Sequence, residues 1–421
     1  MLMQLTHKYA SYKSRTLVET IIEKKAGLSK PRRAFFTAII VLFLSMRGRY
    51  TFKGMERYGS RCEKTYRLQF EKDFDFLWFN RTLSERVLSE HVIIAFDPSY
   101  LPKSGKHTPH KGVFYSGCLG KATGGLEIGG LGIVDVEANT AMSLEAIQTP
   151  NSEELKAKEQ TLVDHYVSIF TERKEDLEAI SKYAVLDGYF AKKTFVNPVC
   201  EQTSLELISK FRKDARLKYL YTGEKKKGRG RPRKYDGDVK LDKTDDELFK
   251  KHFHLCYEDE DVLIHQTVVW SVSLERKIKL AYVQFKNDQG QLTNRYALYF
   301  CTDLNLEGYW IYRYYKARFQ IEFLFRDAKQ HTGLTHCQAR SKNKLYFHFN
   351  TSLTAVSVAK ATHFLNQKPE HRKAFSMADI KTSYFNELMM DLFLSNFQID
   401  PNLIKNIPIV RKLLNFGIIA A

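Results

Sequence analysis

Val92-Ile93-Ile94-Ala95-Phe96-Asp97 is the stretch on which the fold turns. Five apolar residues in succession, without the alternation of a half-solvated strand, read as a strand buried on both faces. A carboxylate follows at once. A second run of the same kind, Tyr183-Ala184-Val185-Leu186-Asp187, also ends in aspartate. Between the two runs, 112–117, 126–136 and 141–148 are short strand patterns, and the pairs Gly124-Gly125 and Gly129-Gly130 read as turns. Residues 153–173 carry helical apolar spacing through Leu155, Leu162, Val163, Tyr166, Ile169 and Phe170. A short helix over 191–200 and a strand over 204–211 follow, so the order in outline is β-β-β-α-β-α-β. That order predicts an α/β fold in which antiparallel strands come first and helices then make the crossovers.

On either side the pattern changes. Residues 1–88 read as helical: 34–46 is a buried helix, and 51–57 and 63–70 are two short helices joined by Tyr58-Gly59-Ser60-Arg61-Cys62. A glycine in a short inter-helix turn followed by Glu-Lys-Thr-Tyr-Arg fits a helix-turn-helix as well as a plain bundle. Residues 214–300 contain strand patterns at 262–273 and 278–285 and read as a β-rich insertion. Helices return over 306–331 and 345–365, and 367–421 is a helical tail.

The chain has 421 residues, with 66 Lys and Arg against 48 Asp and Glu, a net charge of +18. The excess is concentrated. Residues 1–64 and 210–234 each carry a net +10, whereas 235–261 hold ten acids against four Lys. Such clustering implies a polyanionic partner. No apolar run reaches the roughly 18 residues needed to span a bilayer, and the first fifteen residues lack a signal-peptide pattern. The six cysteines are scattered without a CxxC pair, which fits reduced thiols and a cytoplasmic, nucleoid-associated location. Nucleic acid is the partner this composition favours.

Asp97 and Asp187 each follow a buried strand, at the sheet edge where a side chain meets solvent. Two close carboxylates repel unless a cation lies between them, and magnesium is a hard ion suited to carboxylate and phosphate oxygens. Either aspartate alone reads as a strand terminator or turn cap; their matched settings argue for chemistry. The third element is Arg-Tyr-Tyr-Lys-Ala-Arg-Phe-Gln-Ile-Glu-Phe-Leu-Phe-Arg-Asp-Ala-Lys, residues 313–329. At about 100° per residue, Tyr315, Arg318, Glu322 and Lys329 fall within an arc of about 60° on one helix. Asp135, which also ends a strand, is a reserve ligand. His252, His254 and Cys256 lack a second pair at zinc spacing and read as ordinary strand or loop residues.

Tyr315-x2-Arg318-x3-Glu322-x6-Lys329 resembles, without gaps, the Y-R-E-K signature of bacterial DDE transposases of insertion-sequence family four. Asp97 in IIAFDPSY and Asp187 in YAVLDGYF look like the first and second acidic motifs of that family, and RYTFKGMERYGSRCEKTYR, residues 49–67, resembles its N-terminal helical region. The resemblance runs from about Thr51 to Leu365. It implies an RNase H-like mixed sheet flanked by helices and interrupted by the insertion, behind an α-helical N-terminal DNA-binding domain. The expected divisions are 1–88 for that domain, 89–213 and 301–366 for the two parts of the core, 214–300 for the insertion, and 367–421 for the tail. Asp97, Asp187 and Glu322 would hold two magnesium ions, or manganese in their place, about 3.5–4 Å apart. Tyr315, Arg318 and Lys329 would grip phosphates. The implied activity is cut-and-paste transposition: metal-dependent cleavage of the element's terminal inverted repeats and strand transfer into double-stranded target DNA, by a homodimer in a synaptic complex. A nuclease or resolvase without joining activity, and a domesticated DNA-binding regulator, are the rival readings. Relatives can flip a base onto an aromatic residue of the insertion; Trp270, and after it Trp310, are the residues to test. Arg229, Arg231, Arg233 and Lys234 lie in a basic run that resembles an AT-hook suited to a narrow minor groove.

Overall fold

The computed structural model describes residues 10–105, 107–223, 232–241, 246–366, 374–400 and 408–419. Five helices precede the first strand: α1 (Ala10–Ile22), α2 (Lys30–Ser45), α3 (Phe52–Tyr58), α4 (Glu63–Glu71) and α5 (Phe76–Ser84). Pro31 stands in the first turn of α2, where a missing N–H costs nothing. The Thr51 hydroxyl caps α3 by accepting from the Gly54 N–H, and the Asp75 carboxylate caps α5 by accepting from the Trp78 N–H. Gly59 joins α3 to α4 because of space, not handedness. A Cβ there would lie 2.1 Å from the Tyr66 hydroxyl and 2.9 Å from the Met55 carbonyl oxygen.

The sheet begins with β1 (Val92–Pro102), β2 (Gly112–Ser116), β3 (Lys121–Asp135) and β4 (Thr140–Gln148). Ile93 and Ala95 enter one apolar cluster, Ile94 and Phe96 the other, so the opening stretch is buried on both faces. Gly124, Gly125, Gly129 and Gly130 are not turn residues, as their sequence suggested, but lie within the fifteen-residue β3. At Gly129 and Gly130 the reason is close approach: a Cβ on Gly129 would meet the Phe96 ring at 2.9 Å, and one on Gly130 the Phe325 ring at 2.4 Å. The strand is thinned on both faces where large rings pack.

The single helix expected over 153–173 is broken into α6 (Ser152–Ala157) and α7 (Leu162–Thr171), followed by α8 (Lys174–Glu178). Glu159 takes φ +54, and Thr161 with Asp164 forms a capping box that starts α7 afresh. Next come β5 (Tyr183–Val185), α9 (Lys193–Gln202) and β6 (Glu206–Phe211), with β5 parallel to both β1 and β6. Residues 214–300 contribute β7 (Leu217–Leu220), β8 (Tyr235–Asp238), α10 (Glu247–His252), β9 (His254–Glu258), β10 (Val262–Ser271), β11 (Arg276–Lys286) and β12 (Leu292–Cys301). They do not form a separate sheet. β12 pairs antiparallel with β6, giving one sheet of order β2-β3-β1-β5-β6-β12-β11-β10-β7-β8, with β4 beside β3 and β9 beside β10.

The chain closes with α11 (Gly308–Ala317), α12 (Gln320–His331), α13 (Lys342–Leu365), α14 (Met377–Asn396) and α15 (Pro408–Leu414). α13 is buried along most of its length because it runs between β4 and α2. The first five helices share its core: the Phe347 ring lies 6.2 Å from Phe35 and 4.6 Å from Phe70. The result is a large mixed sheet with helices against its faces. Among the described residues no helix is long and apolar enough to cross a membrane.

Candidate active site

Two register pairs, Ile94 with Ala184 and Ala95 with Val185, align β1 with β5. Carried two residues further, past the end of β5, that register brings Asp187 near enough for its charge to act on Asp97. Asp187 also caps the turn that follows, its Oδ1 accepting the Tyr189 N–H at 2.8 Å. The bland and the functional readings of this aspartate are thus compatible, because one carboxylate oxygen makes that bond.

Glu322 arrives from the other layer. Asp97 pairs in register with Gly130, and the Phe325 ring occupies the space a side chain would take there. That contact lays α12 against the strip of sheet carrying Asp97. The expected single helix under Tyr315, Arg318, Glu322 and Lys329 is interrupted at Arg318-Phe319, between α11 and α12. No glycine or proline causes this. The Ile321 and Glu322 N–H groups bond three residues back, to Arg318 and Phe319 at 3.1 Å, tightening the turn while its dihedrals stay helical.

The Arg318 guanidinium lies between two of the acids. Its Nη2 is 3.0 Å from Glu322 Oε1, and its Nη1 is 3.6 Å from Asp97 Oδ1. It also sits 5.6 Å from the centre of the Tyr315 ring. Burial pushes the Asp97 carboxyl up to about 7; Arg318 opposes this, and the negative charges of Glu322 and Asp187 add to it. Burial weakens the Lys329 ammonium, with Cys118 and Asp97 acting the other way and the net direction downward. Burial likewise raises the Tyr315 phenol.

Other positions singled out from the sequence stand elsewhere. Asp135 pairs with Val92 at the opposite end of β1 and accepts the N–H groups of Ser89, Glu137 and Ala138 at 2.7, 3.0 and 2.8 Å. It is a turn-forming aspartate. Trp270 lies on β10, four strand spacings or about 19 Å from β5, with its ring near Tyr235. Trp310 packs against His91, at the far end of β1 from Asp97. His252 bonds Asp236 at 3.0 Å, and the Cys256 thiol donates to the Ile264 carbonyl. Arg233 and Lys234 are exposed before β8, and Arg233 donates to the Tyr235 carbonyl at 2.9 Å. Arg229 and Arg231 lie outside the described residues.

Sequence reasoning missed a cleft of about 430 Å3 beside Asp187, lined by Tyr189, Lys210, Arg212, Lys213 and Tyr296. The Lys192 ammonium is 3.4 Å from the Tyr189 ring centre and that of Lys213 4.5 Å from Tyr296. The signal was available: Phe-Arg-Lys-Asp, 211–214, follows β6 at its carboxyl end, where open α/β sheets bind ligands.

Among the described residues, no group of three His, Cys, Asp or Glu side chains is closed up enough to hold a metal ion. Two of the acids, Asp97 and Glu322, instead flank a guanidinium. Their chemistry nonetheless suits a hard divalent cation: all are oxygen donors, and Asp97 is raised in part by the charges of the other two. Arg318 is the cation that stands in.

A large mixed sheet with helices on its faces and carboxylates from neighbouring parallel strands is consistent with an RNase H-like transposase core. Residues 157–358 match the family model described as a transposase DDE domain. The match supports a DDE transposase, an enzyme class that acts on DNA and depends on divalent metal. It includes Asp187, Glu322, Tyr315, Arg318 and Lys329; Asp97 lies before it and joins the group through the β1–β5 register. No curated protein matches the chain.

Proposed function

We propose that this chain is the transposase of a bacterial insertion sequence of the Y-R-E-K group, cutting the ends of its element and joining them to target DNA. The observation that supports the proposal is that Arg318 lies 3.0 Å from Glu322 and 3.6 Å from Asp97, an aspartate on which the charges of Glu322 and Asp187 both act. Asp97, Asp187 and Glu322 are the residues that would hold magnesium. When bound, magnesium supplies Lewis acidity that activates a water or 3′-hydroxyl and stabilises the leaving oxygen. Lys329 and Tyr315, on either side of Glu322 in sequence, offer an ammonium and a phenol to backbone phosphates near the cut, and Arg318 adds a planar donor. Tyr189 and Tyr296, each under a lysine ammonium, are better set to stack on an unpaired base than Trp270, because their cleft adjoins Asp187. The positive charge of the first 88 residues and of the 210–234 run favours phosphate contacts, and two copies act together on two ends.

Asp97→Asn, Asp187→Asn and Glu322→Gln are each expected to lower magnesium-dependent cleavage of a terminal-repeat duplex by at least about a thousandfold, while gel-shift affinity changes little. Full cleavage by any one of them removes that residue from the assignment. Joining of a labelled end to a plasmid separates a transposase from a nuclease that only cuts.

A further inference from the structure

Among the described residues, Arg318 alone has two buried side-chain nitrogens without a hydrogen-bond partner. Its side chain is 10 % exposed, and its Nε and Nη1 are buried with no hydrogen-bond partner. A guanidinium built for a permanent structural ion pair offers two parallel N–H groups to one carboxylate. Here the fork is spread over two acids instead. One contact is a hydrogen bond at 3.0 Å to Glu322, and the other, 3.6 Å to Asp97, is charge attraction alone. Burying such a group with unused donors is costly, and a partner that took up both would be preferred. The group lies where a divalent ion shared by Asp97 and Glu322 would also exert its charge.

We infer that Arg318 is an exchangeable counter-ion that couples metal binding to DNA binding. In the protein without DNA, it neutralises Asp97 and Glu322 and competes with a divalent ion for them. A DNA phosphate offers the guanidinium the two-point acceptor it lacks. Moving onto that phosphate releases both carboxylates, so each ligand strengthens the other by the same factor. The consequence is protective, since the acids acquire metal efficiently only where there is DNA to cut. The inference rests on the assignment of Asp97 and Glu322 as metal ligands.

The test is manganese binding to the full chain, followed by the electron paramagnetic resonance of free ion, with Arg318→Gln and Arg318→Lys beside the parent protein. Circular dichroism melting establishes that each variant is folded. Without DNA, Arg318→Gln is expected to bind manganese about tenfold more tightly than the parent, within the usual range for coupled sites. Arg318→Lys, which keeps the charge, is expected to bind as weakly as the parent. A random-sequence duplex at low salt should tighten manganese binding to the parent, after subtraction of binding to duplex alone, and leave Arg318→Gln unchanged. Equal affinities in folded parent and Arg318→Gln overturn the inference while leaving the acids in place. Binding that is also indifferent to Asp97→Asn overturns the metal assignment, and the inference with it.

Discussion

At the scale of single residues, the site depends on a side chain that is absent. Gly130 faces Asp97 across the β1–β3 ladder, and its missing Cβ lets the Phe325 ring rest on the strand. Phe325 is one turn of α12 beyond Glu322, so the distance from glutamate to aspartate is set by this contact. Gly130→Ala is expected to destabilise the protein by about 1–3 kcal/mol through overpacking and to reduce end cleavage more than DNA affinity, because it lifts α12. Thermal melting and cleavage assays check this; Phe325→Leu in the same chain should restore part of both. The sequence displayed Gly129-Gly130 plainly, but a glycine pair reads as a turn unless one knows what rings lie against it. Asp135 shows the same limit. Its position after an apolar run looks like that of Asp97, yet three backbone N–H groups claim it.

Among elements, α14 is tied to α2 by one lysine. The Lys381 ammonium donates to the Phe43 and Met46 carbonyls at 2.9 and 2.7 Å and to the Tyr50 hydroxyl at 2.7 Å. Those carbonyls belong to the end of α2, where the helix dipole is negative and the last acceptors lack helical partners. Lys381→Met should therefore cost about 3 kcal/mol, read as a lower urea midpoint, with faster proteolysis at the start of α14. Element types were largely legible from periodicity and caps. Breaks within helices were less so. The α6–α7 break could have been read from the Thr161–Asp164 capping box, whereas the one at Arg318-Phe319 has no local marker, since both residues keep helical dihedrals.

For the whole molecule, the helices before β1 and the mixed sheet share one apolar cluster that reaches from Leu17 to Tyr384. A chain beginning at residue 89 is expected to lose cooperative melting and bind hydrophobic dyes, because Phe347, which packs on Phe35 and Phe70, and Tyr384, which bonds Ser14, would face water; a sharp melting transition would show that the parts fold separately. The same core makes stability depend on pH. His348 is 1 % exposed, bonds the Gly333 carbonyl oxygen at 2.8 Å and is pushed down to about 4, chiefly by burial. Since the unfolded histidine titrates near 6.5, the folded state binds fewer protons between these values, and stability falls as pH drops through that window. From about pH 7 to about pH 5 the His348 contribution to this loss is about 2 kcal/mol, to be read as the difference in urea-unfolding slope between the parent and His348→Leu.

Sequence alone determined which residues could do chemistry and which partner they would meet. Two buried apolar runs each followed by an aspartate, one stretch with Tyr, Arg, Glu and Lys at helical offsets, and a concentrated positive charge are local properties, carried by neighbours a few positions apart; that β1 runs on past Asp97 to Pro102 is not among them. Tertiary structure decided what those residues do to each other. That the charge of Asp187 acts on Asp97 follows from the parallel pairing of strands ninety residues apart. The 214–300 strands extend the mixed sheet because β12 pairs with β6. A guanidinium stands between two acids because Phe325 seats α12 on Gly130. Each depends on a contact between segments far apart in the chain, and one-dimensional periodicity holds no information about which distant surface a residue will meet.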